Sequence, residues 1–156
     1  MFHPYEDVIE AYASFLEVLR ALTFSISDSD SKKRSLGLTD WTIVEVICHL
    51  CDCEMVAVQR TKSIILHDTP RLEPFDQEEW AVEKKYIEQD FNEVQEKFIS
   101  FRNEHVMLLT DLKQDEWQRI GIHDELGPIS IYDHIVMMLS HDLIHSKQII
   151  HLLREL

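Results

Sequence analysis

The sequence contains few of the residues that interrupt helices, with 3 glycines and 4 prolines among 156 residues. Its apolar residues recur every three or four positions rather than at every second position. This is the period of an α-helix and not of a half-buried strand. Strands therefore have little support, and we expect an all-α protein.

Basic residues are also scarce: 15 lysines and arginines stand against 29 aspartates and glutamates, a formal net charge of −14. This charge repels a phosphate backbone and an anionic bilayer surface. No run approaches the roughly 20 apolar residues of a membrane-spanning helix, and the N-terminus lacks the pattern of a secretory signal. We therefore expect a cytoplasmic protein with neither nucleic acid nor a membrane as partner.

The helical pattern predicts one domain, residues 1–156, which is long enough to bury a core without disulfides. Four long helices with two long connections favour a four-helix bundle with crossover loops. The long helices are expected from about Pro4 to Ser25, from Thr42 to about Leu66, after Asp90 through Leu112, and from Ile131 to about Leu156. A short helix is expected from about Gln77 to Gln89.

Spacings of three residues mark where these helices begin. Thr42 with Glu45, and Ser130 with Asp133, are spaced as capping boxes, in which each side chain binds the other residue's free amide. Asp76 with Glu79, and Asp90 with Glu93, have the same spacing. Polar, proline-containing or glycine-containing segments between the helices, at 27–35, 67–75 and 121–128, are expected to be loops.

The chemical signal lies in the histidines. His141 and His145 are four residues apart, so their side chains lie on one helix face, about 5–6 Å apart at Cβ. Two such rings can bind one ion through metal–nitrogen bonds of about 2.0–2.1 Å. An arbitrary pair of this kind most often lies on a solvated face. Here Met138, Ile149 and Leu152 share the side of His145, so the rings should face the core, where a nitrogen without a partner is costly.

His49 has a comparable place on the second helix, in line with Val46, Cys53 and Val56. A single histidine on an apolar stripe is more often a core residue that is hydrogen-bonded to a neighbouring helix. Its interpretation as a metal ligand therefore depends on the histidine pair of the last helix.

Three cysteines, Cys48, Cys51 and Cys53, lie close together, and an odd number fits a reducing compartment rather than a disulfide framework. One C-x-x-C inside a helix, without a second pair, is a weak zinc signal. Buried small apolar side chains are the expectation for them. Cys53, one turn after His49, is the exception, because its sulfur can approach an ion held by His49.

Several stretches resemble the DinB/YfiT-like superfamily of metalloenzymes. They are Trp41–Leu50, Gly127–Ser130 leading into His141–Ile149, Phe98 with Arg102, and Phe75–Asp76 to Trp80. The resemblance covers most of the chain, and its parts occur in the right order.

The resemblance implies a four-helix bundle in which His49, His141 and His145 hold one divalent metal ion, with Zn²⁺ or Ni²⁺ as our candidates. Some members are thiol-dependent S-transferases or isomerases that use bacillithiol, mycothiol or glutathione, and others are described as hydrolases. The resemblance also implies a small-molecule substrate, a low-molecular-weight thiol and a homodimer.

Further side chains are candidates for contacts with the substrate or with the ligand rings. His134, seven residues before His141, faces roughly the same way. His105 is placed to line a cavity, and Arg102 is suited to bind a carboxylate or thiolate through two hydrogen bonds. A carboxylate can fix the tautomer of a ligand imidazole, and the candidates for this role are Glu45, Asp52 and Asp142. For each of these residues the alternative is an ordinary core or surface position.

Three functions stay open, and no catalytic residue is assigned. The resemblance favours a thiol-dependent S-transferase. A hydrolase that uses metal-activated water is the alternative enzyme, because a bound ion lowers the pKa of water or thiol alike. A non-catalytic bundle that binds a partner or dimerises is the third.

Overall fold

Four long helices dominate the computed structural model, which describes residues 4–34 and 41–156. They are α1 (Glu6–Thr23), α3 (Ile43–Leu66), α5 (Phe91–Thr110) and α6 (Ile131–Leu153), and the shorter helices are α2 (Asp28–Ser31) and α4 (Gln77–Glu83). Tyr86–Glu88 and Glu116–Gln118 form 3-10 turns. The structure is 69% helical, and the predicted helical bundle is confirmed.

The beginnings of α3 and α6 follow from local chemistry. The Thr42 hydroxyl accepts a hydrogen bond from the Glu45 amide, and the Glu45 carboxylate accepts one from the Thr42 amide at 2.7 Å. Ser130 and Asp133 form the same reciprocal pair at the start of α6. The side chains of Asp76 and Asp90 cap α4 and α5. The predicted capping boxes are therefore confirmed at Thr42 and Ser130, whereas at Asp76 and Asp90 the cap forms without the return bond from the glutamate three residues on.

The expectation that strands have little support is wrong in two of the predicted loops. β1 (Arg71–Leu72) pairs in parallel with β2 (Ile120–His123), which pairs antiparallel with β3 (Gly127–Ser130). A Cβ on Gly121 would lie 2.8 Å from the Leu72 side chain, so a larger residue there would force the buried Leu72 side chain to move. Strands of two to four residues are too short to show a period.

Two other boundaries differ from the prediction. The polar segment 27–35, expected to be a loop, contains α2, whose first turn is capped by Ser27. Residue 35, the end of this segment, lies outside the described residues. The helix expected over 77–89 ends at Glu83, because Lys85 adopts a left-handed conformation with φ 50° before the turn at Tyr86.

The packing of the bundle places α3 against both α5 and α6, while α1 packs against the other faces of α5 and α6. His49, on α3, is buried in this packing and is 2% exposed. Across residues 4–34 and 41–156, no helix has the length and apolar character that crossing a membrane requires.

Candidate metal centre

Three imidazoles from two helices meet at one point. The Nε2 atom of His49 on α3 lies 2.9 Å from Nε2 of His141 on α6, and Nε2 of His145 lies 3.1 Å from the same His141 atom. The ring centroids are 4.4–5.0 Å apart. The structure thus brings together the three histidines that the sequence analysis singled out as ligands.

The spacing of these nitrogens fits one shared cation. Bonds of about 2.0–2.1 Å to a common ion separate two ligand nitrogens by about 2.9 Å at a right angle and about 3.3 Å at the tetrahedral angle. The outer nitrogen of His145, Nδ1, lies 2.7 Å from the Gln148 carbonyl oxygen. A proton on Nδ1, donated to Gln148, leaves the Nε2 lone pair free for an ion, as in ligand histidines held by a neighbouring group.

The electrostatics keep these rings neutral. Burial, followed by the neighbouring imidazoles of His145 and His141, lowers the pKa of His49 to about 3. Burial, followed by the neighbouring His145 imidazole and the charge of Arg102, lowers the pKa of His141 to about 4. Burial also lowers the pKa of His145, although the hydrogen bond with Gln148 opposes this. At neutral pH the three rings therefore have the protonation state that metal binding requires.

The imidazoles line a cleft of about 440 Å³. Trp41 packs edge-on against His49 with ring centroids 5.2 Å apart. Gln77 and Glu78, in the first turn of α4, and Gln148 of α6 complete the lining. Gln77 and Glu78 are not predicted site residues, because their place at the cleft depends on where α4 packs. The one sequence feature that points to this part of the cleft is the Asp76 cap, which fixes the first turn of α4.

A second donor set overlaps the first. Cys53 Sγ forms, with His49 and His141, a group whose ligand atoms lie within 4.8 Å of one another. The sulfur is 3.6 Å from both Nδ1 and Nε2 of His49. Burial raises the pKa of its thiol to about 12. We favour His145 as the third donor, because its Nε2 is directed at the His141 nitrogen while Cys53 is equidistant from both nitrogens of His49.

Arg102, His105 and Asp142 belong to a buried polar network rather than to the cleft. Arg102 is 0% exposed, and it donates to both oxygens of Asp142 at 2.9 and 3.1 Å and to Glu54 at 2.9 Å. His105 Nδ1 lies 3.0 Å from the other Glu54 oxygen. The predicted substrate contact of Arg102 does not fit this position, because two carboxylates already bind its terminal nitrogens.

The carboxylates proposed to orient the ligand rings are engaged elsewhere. Glu45 caps α3, and Asp52 accepts hydrogen bonds from Tyr86 and Lys84. Asp142 binds Arg102. Within the described part of the chain, none of these three carboxylates is hydrogen-bonded to a cluster imidazole. Gln148 takes this position for His145 instead.

His134 lies seven residues, or about two helical turns, before His141 on α6 and is 2% exposed. Its Nδ1 has no hydrogen-bond partner among the described residues. It lines a second pocket, of about 360 Å³, which His141 and Cys53 also line. His134 is thus near the cluster without belonging to it.

The sequence profile of the DinB superfamily matches residues 9–149. A protein of Oceanobacillus iheyensis named "Putative metal-dependent hydrolase" is 32% identical over 123 residues, which are 77% of this chain and 67% of that protein. A Geobacillus thermodenitrificans protein of the same name is 35% identical over 78 residues, 49% of this chain and 44% of its own length. The chain thus spans less than half of that second relative.

Two solved structures share the fold. YfiT from Bacillus subtilis, described as "a probable metal-dependent hydrolase with an unusual four-helix bundle topology", matches with a TM-score of 0.86 at 21% identity, covering 99% of this chain and 89% of YfiT. A mycothiol-dependent maleylpyruvate isomerase matches with a TM-score of 0.76 at 12% identity, covering 92% of this chain and 60% of the isomerase. The predicted resemblance is confirmed, and because the profile spans most of its residues, the chain belongs to the DinB superfamily.

Proposed function

We propose that the protein is a metal-dependent enzyme in which His49, His141 and His145 hold one divalent ion at the wall of an open cleft. The observation that carries this proposal is that the Nε2 atoms of His49 and His145, from two helices, both lie within 3.1 Å of the Nε2 atom of His141. The names of the relatives, which are called metal-dependent, support it. The side of the cluster that faces the cleft leaves room for a substrate.

The protein's own residues would prepare this site. Gln148 holds the His145 ring in one tautomer, and Trp41 packs on the His49 ring. Glu78 is the carboxylate among the residues that line the cleft, so it is the group placed to take a proton from a nucleophile. A bound divalent ion would lower the pKa of a coordinated water or thiol towards neutrality.

Hydrolysis by activated water is the activity we favour, because the relatives that align with this chain are called hydrolases. The thiol-dependent S-transferase stays as the second candidate. Its support is the fold shared with the mycothiol-dependent isomerase. The two differ in the nucleophile, and both require the same ion.

Metal analysis tests the shared requirement. Protein purified without chelator or histidine tag should contain about one zinc or nickel ion per chain, and His141→Ala should lose it. His151→Ala, on the same helix but outside the cluster, is the matched control and should retain the ion. If the wild type contains no metal, or if His141→Ala contains as much metal as the wild type, the non-catalytic bundle is the better interpretation.

Activity assays then separate the two enzymes. The zinc-loaded protein is offered ester and amide substrates in water, and electrophilic acceptors with glutathione, bacillithiol or mycothiol. Hydrolysis without added thiol supports the first candidate. Product formation that requires the thiol supports the second. Loss of either activity in His141→Ala, but not in His151→Ala, ties it to the cluster.

A further inference from the structure

The second pocket lies between α3 and α6, directly beside the imidazole cluster. His141 lines both this pocket and the cleft. Apolar side chains form most of its wall, among them Val56, Phe75, Met138 and Ile144. Its volume, about 360 Å³, is within the range of small-molecule sites, which are mostly apolar with a few polar groups.

The two ends of the pocket differ in chemistry. Cys53 and His141 lie at the cluster end, and Arg60 and His134 lie seven residues away along α3 and α6 respectively. At a rise of 1.5 Å per residue, seven residues of helix span about 10 Å. A ligand that fills the pocket therefore has one end near the cluster and the other end at Arg60 and His134.

Arg60 is a cation without a carboxylate partner in the part of the chain that the structure describes. Its Nη2 donates to the backbone oxygen of Glu73 at 2.8 Å, while its buried Nε has no partner. Among residues 4–34 and 41–156, no carboxylate oxygen lies within 4 Å of it. In contrast, Arg71 and Arg102 bind carboxylates. The chain has 29 acidic residues. A partly buried guanidinium without a carboxylate partner among the described residues is therefore unexpected, because a desolvated charge is costly unless it is paired.

His134 provides the second polar group at this end. Its side chain is 2% exposed and lines the pocket, and its Nδ1 lacks a hydrogen-bond partner. A buried polar atom without a partner is rare in folded proteins, and a bound ligand is one of its explanations. Arg60 and His134 thus line the same end of the pocket, and each has a buried nitrogen without a partner among the described residues.

We propose that the pocket binds an apolar monocarboxylate, with the carboxylate on Arg60 and the apolar body along Val56, Met138 and Ile144. The far end of the ligand then lies about 10 Å away, beside His141. Arg60 would select substrates by their charge. The assignment of the far end as the reacting end rests on the proposed function, whereas the binding itself does not.

Calorimetric titration with octanoate tests the proposal, because its extended length is close to the span of the pocket. It is carried out on the metal-free and the zinc-loaded protein. Octanamide, of the same shape without the charge, and butanoate, too short to fill the pocket, are the comparison ligands. Octanoate should bind more tightly than either. Arg60→Met should weaken octanoate binding roughly 10- to 100-fold, the usual effect of losing a charge-assisted hydrogen bond, and leave octanamide binding unchanged.

Arg71→Met is the matched control. Arg71 lines the neighbouring pocket and already pairs with Asp124 at 2.8 Å, so octanoate affinity should not change. Arg60→Lys keeps the charge and should restore part of the affinity even if Arg60→Met folds poorly. Circular dichroism checks the fold of each variant.

The outcomes separate this proposal from the proposed function. Octanoate binding that depends on Arg60 supports the pocket in either form of the protein, and only a failure of the metal-free protein to take up zinc would contradict the metal enzyme. Binding that survives Arg60→Met but needs zinc would put the carboxylate on the ion and overturn the pocket proposal. Equal affinities for octanoate and octanamide, or no binding by the wild type, would overturn it as well.

Discussion

Replacing Arg102 by methionine removes the cation from the buried network while keeping an unbranched apolar chain in place of the arginine methylene groups. Arg102 is 0% exposed, as is Glu54, and Asp142 is 3% exposed. The change leaves both carboxylates buried without their cation. Breaking a buried ion pair from one side costs about 3–5 kcal/mol. Against a total stability of about 5–15 kcal/mol for a domain, the variant should fold only marginally at neutral pH.

The pH dependence of this loss distinguishes charge from packing. Burial raises the pKa of Glu54, but the hydrogen bond from His105 and the charge of Arg102 more than offset it, so that the pKa is about 2. Burial raises the pKa of Asp142 to about 6, although Arg102 opposes this. Without Arg102, the pKa of Glu54 should rise above its value in the unfolded chain, and the pKa of Asp142, which is already above that value, should rise further. The folded variant then takes up protons as pH falls, so its deficit relative to the wild type should shrink between about pH 8 and pH 5.

Urea unfolding followed by circular dichroism, at both pH values, measures this deficit. Lys62→Met is the control, because Lys62 pairs with Glu104 at the surface, where both side chains are nearly half exposed. That variant should change the free energy of unfolding by about 1 kcal/mol or less. A loss below about 1 kcal/mol in Arg102→Met, or one that is the same at both pH values, would refute the argument from buried charge.

Substitutions in the cluster, the cleft and the second pocket should each have a distinct effect. Cys53→Ala should keep about one ion per chain, and its cobalt form should keep the wild-type spectrum; loss of the ion would make Cys53 a ligand. Glu78→Gln should lower kcat/KM by about 100-fold or more without changing the metal content. The neighbouring Glu79→Gln is the control and should change neither kcat/KM nor the metal content. A fully active Glu78→Gln variant would show that Glu78 takes no part in the reaction. Burial lowers the pKa of His134 from 6.5 to about 3, so the unfolded chain binds one more proton between these values and stability falls as pH drops below about 6.5. In urea titrations of the metal-free protein between about pH 6 and pH 4, His134→Leu should reduce this slope by about 1.4 kcal/mol per pH unit, and an unchanged slope would show that His134 is charged in the fold.

Local chemistry explains what the sequence predicted correctly. The capping boxes at Thr42 and Ser130 set the starts of α3 and α6, because each involves residues only three apart. The shared face of His141 and His145 follows from their spacing on one helix. By contrast, the pairing of β1 with β2 joins segments far apart in the chain, and neither strand is long enough to show a period.

The candidate site likewise depends partly on spacing within one helix and partly on the packing of helices. That His49 meets the histidine pair was implied by a family resemblance, but the distances arise from the packing of α3 against α6. The same packing buries Arg102 between Glu54 and Asp142 and removes it from the cleft. Whether a polar side chain faces a ligand, a partner or another charge depends on which helices surround it.

By itself, the sequence determined the helical class, the places where helices begin and the histidine pair, because these depend on contacts within one or two helical turns. Tertiary structure alone decided the lining of the cleft by α4 and the pairing of the network carboxylates. It also decided that Arg60 has no carboxylate partner among the described residues. These features depend on side chains brought together from distant segments, and their energies are decided by burial, which a single helix does not have.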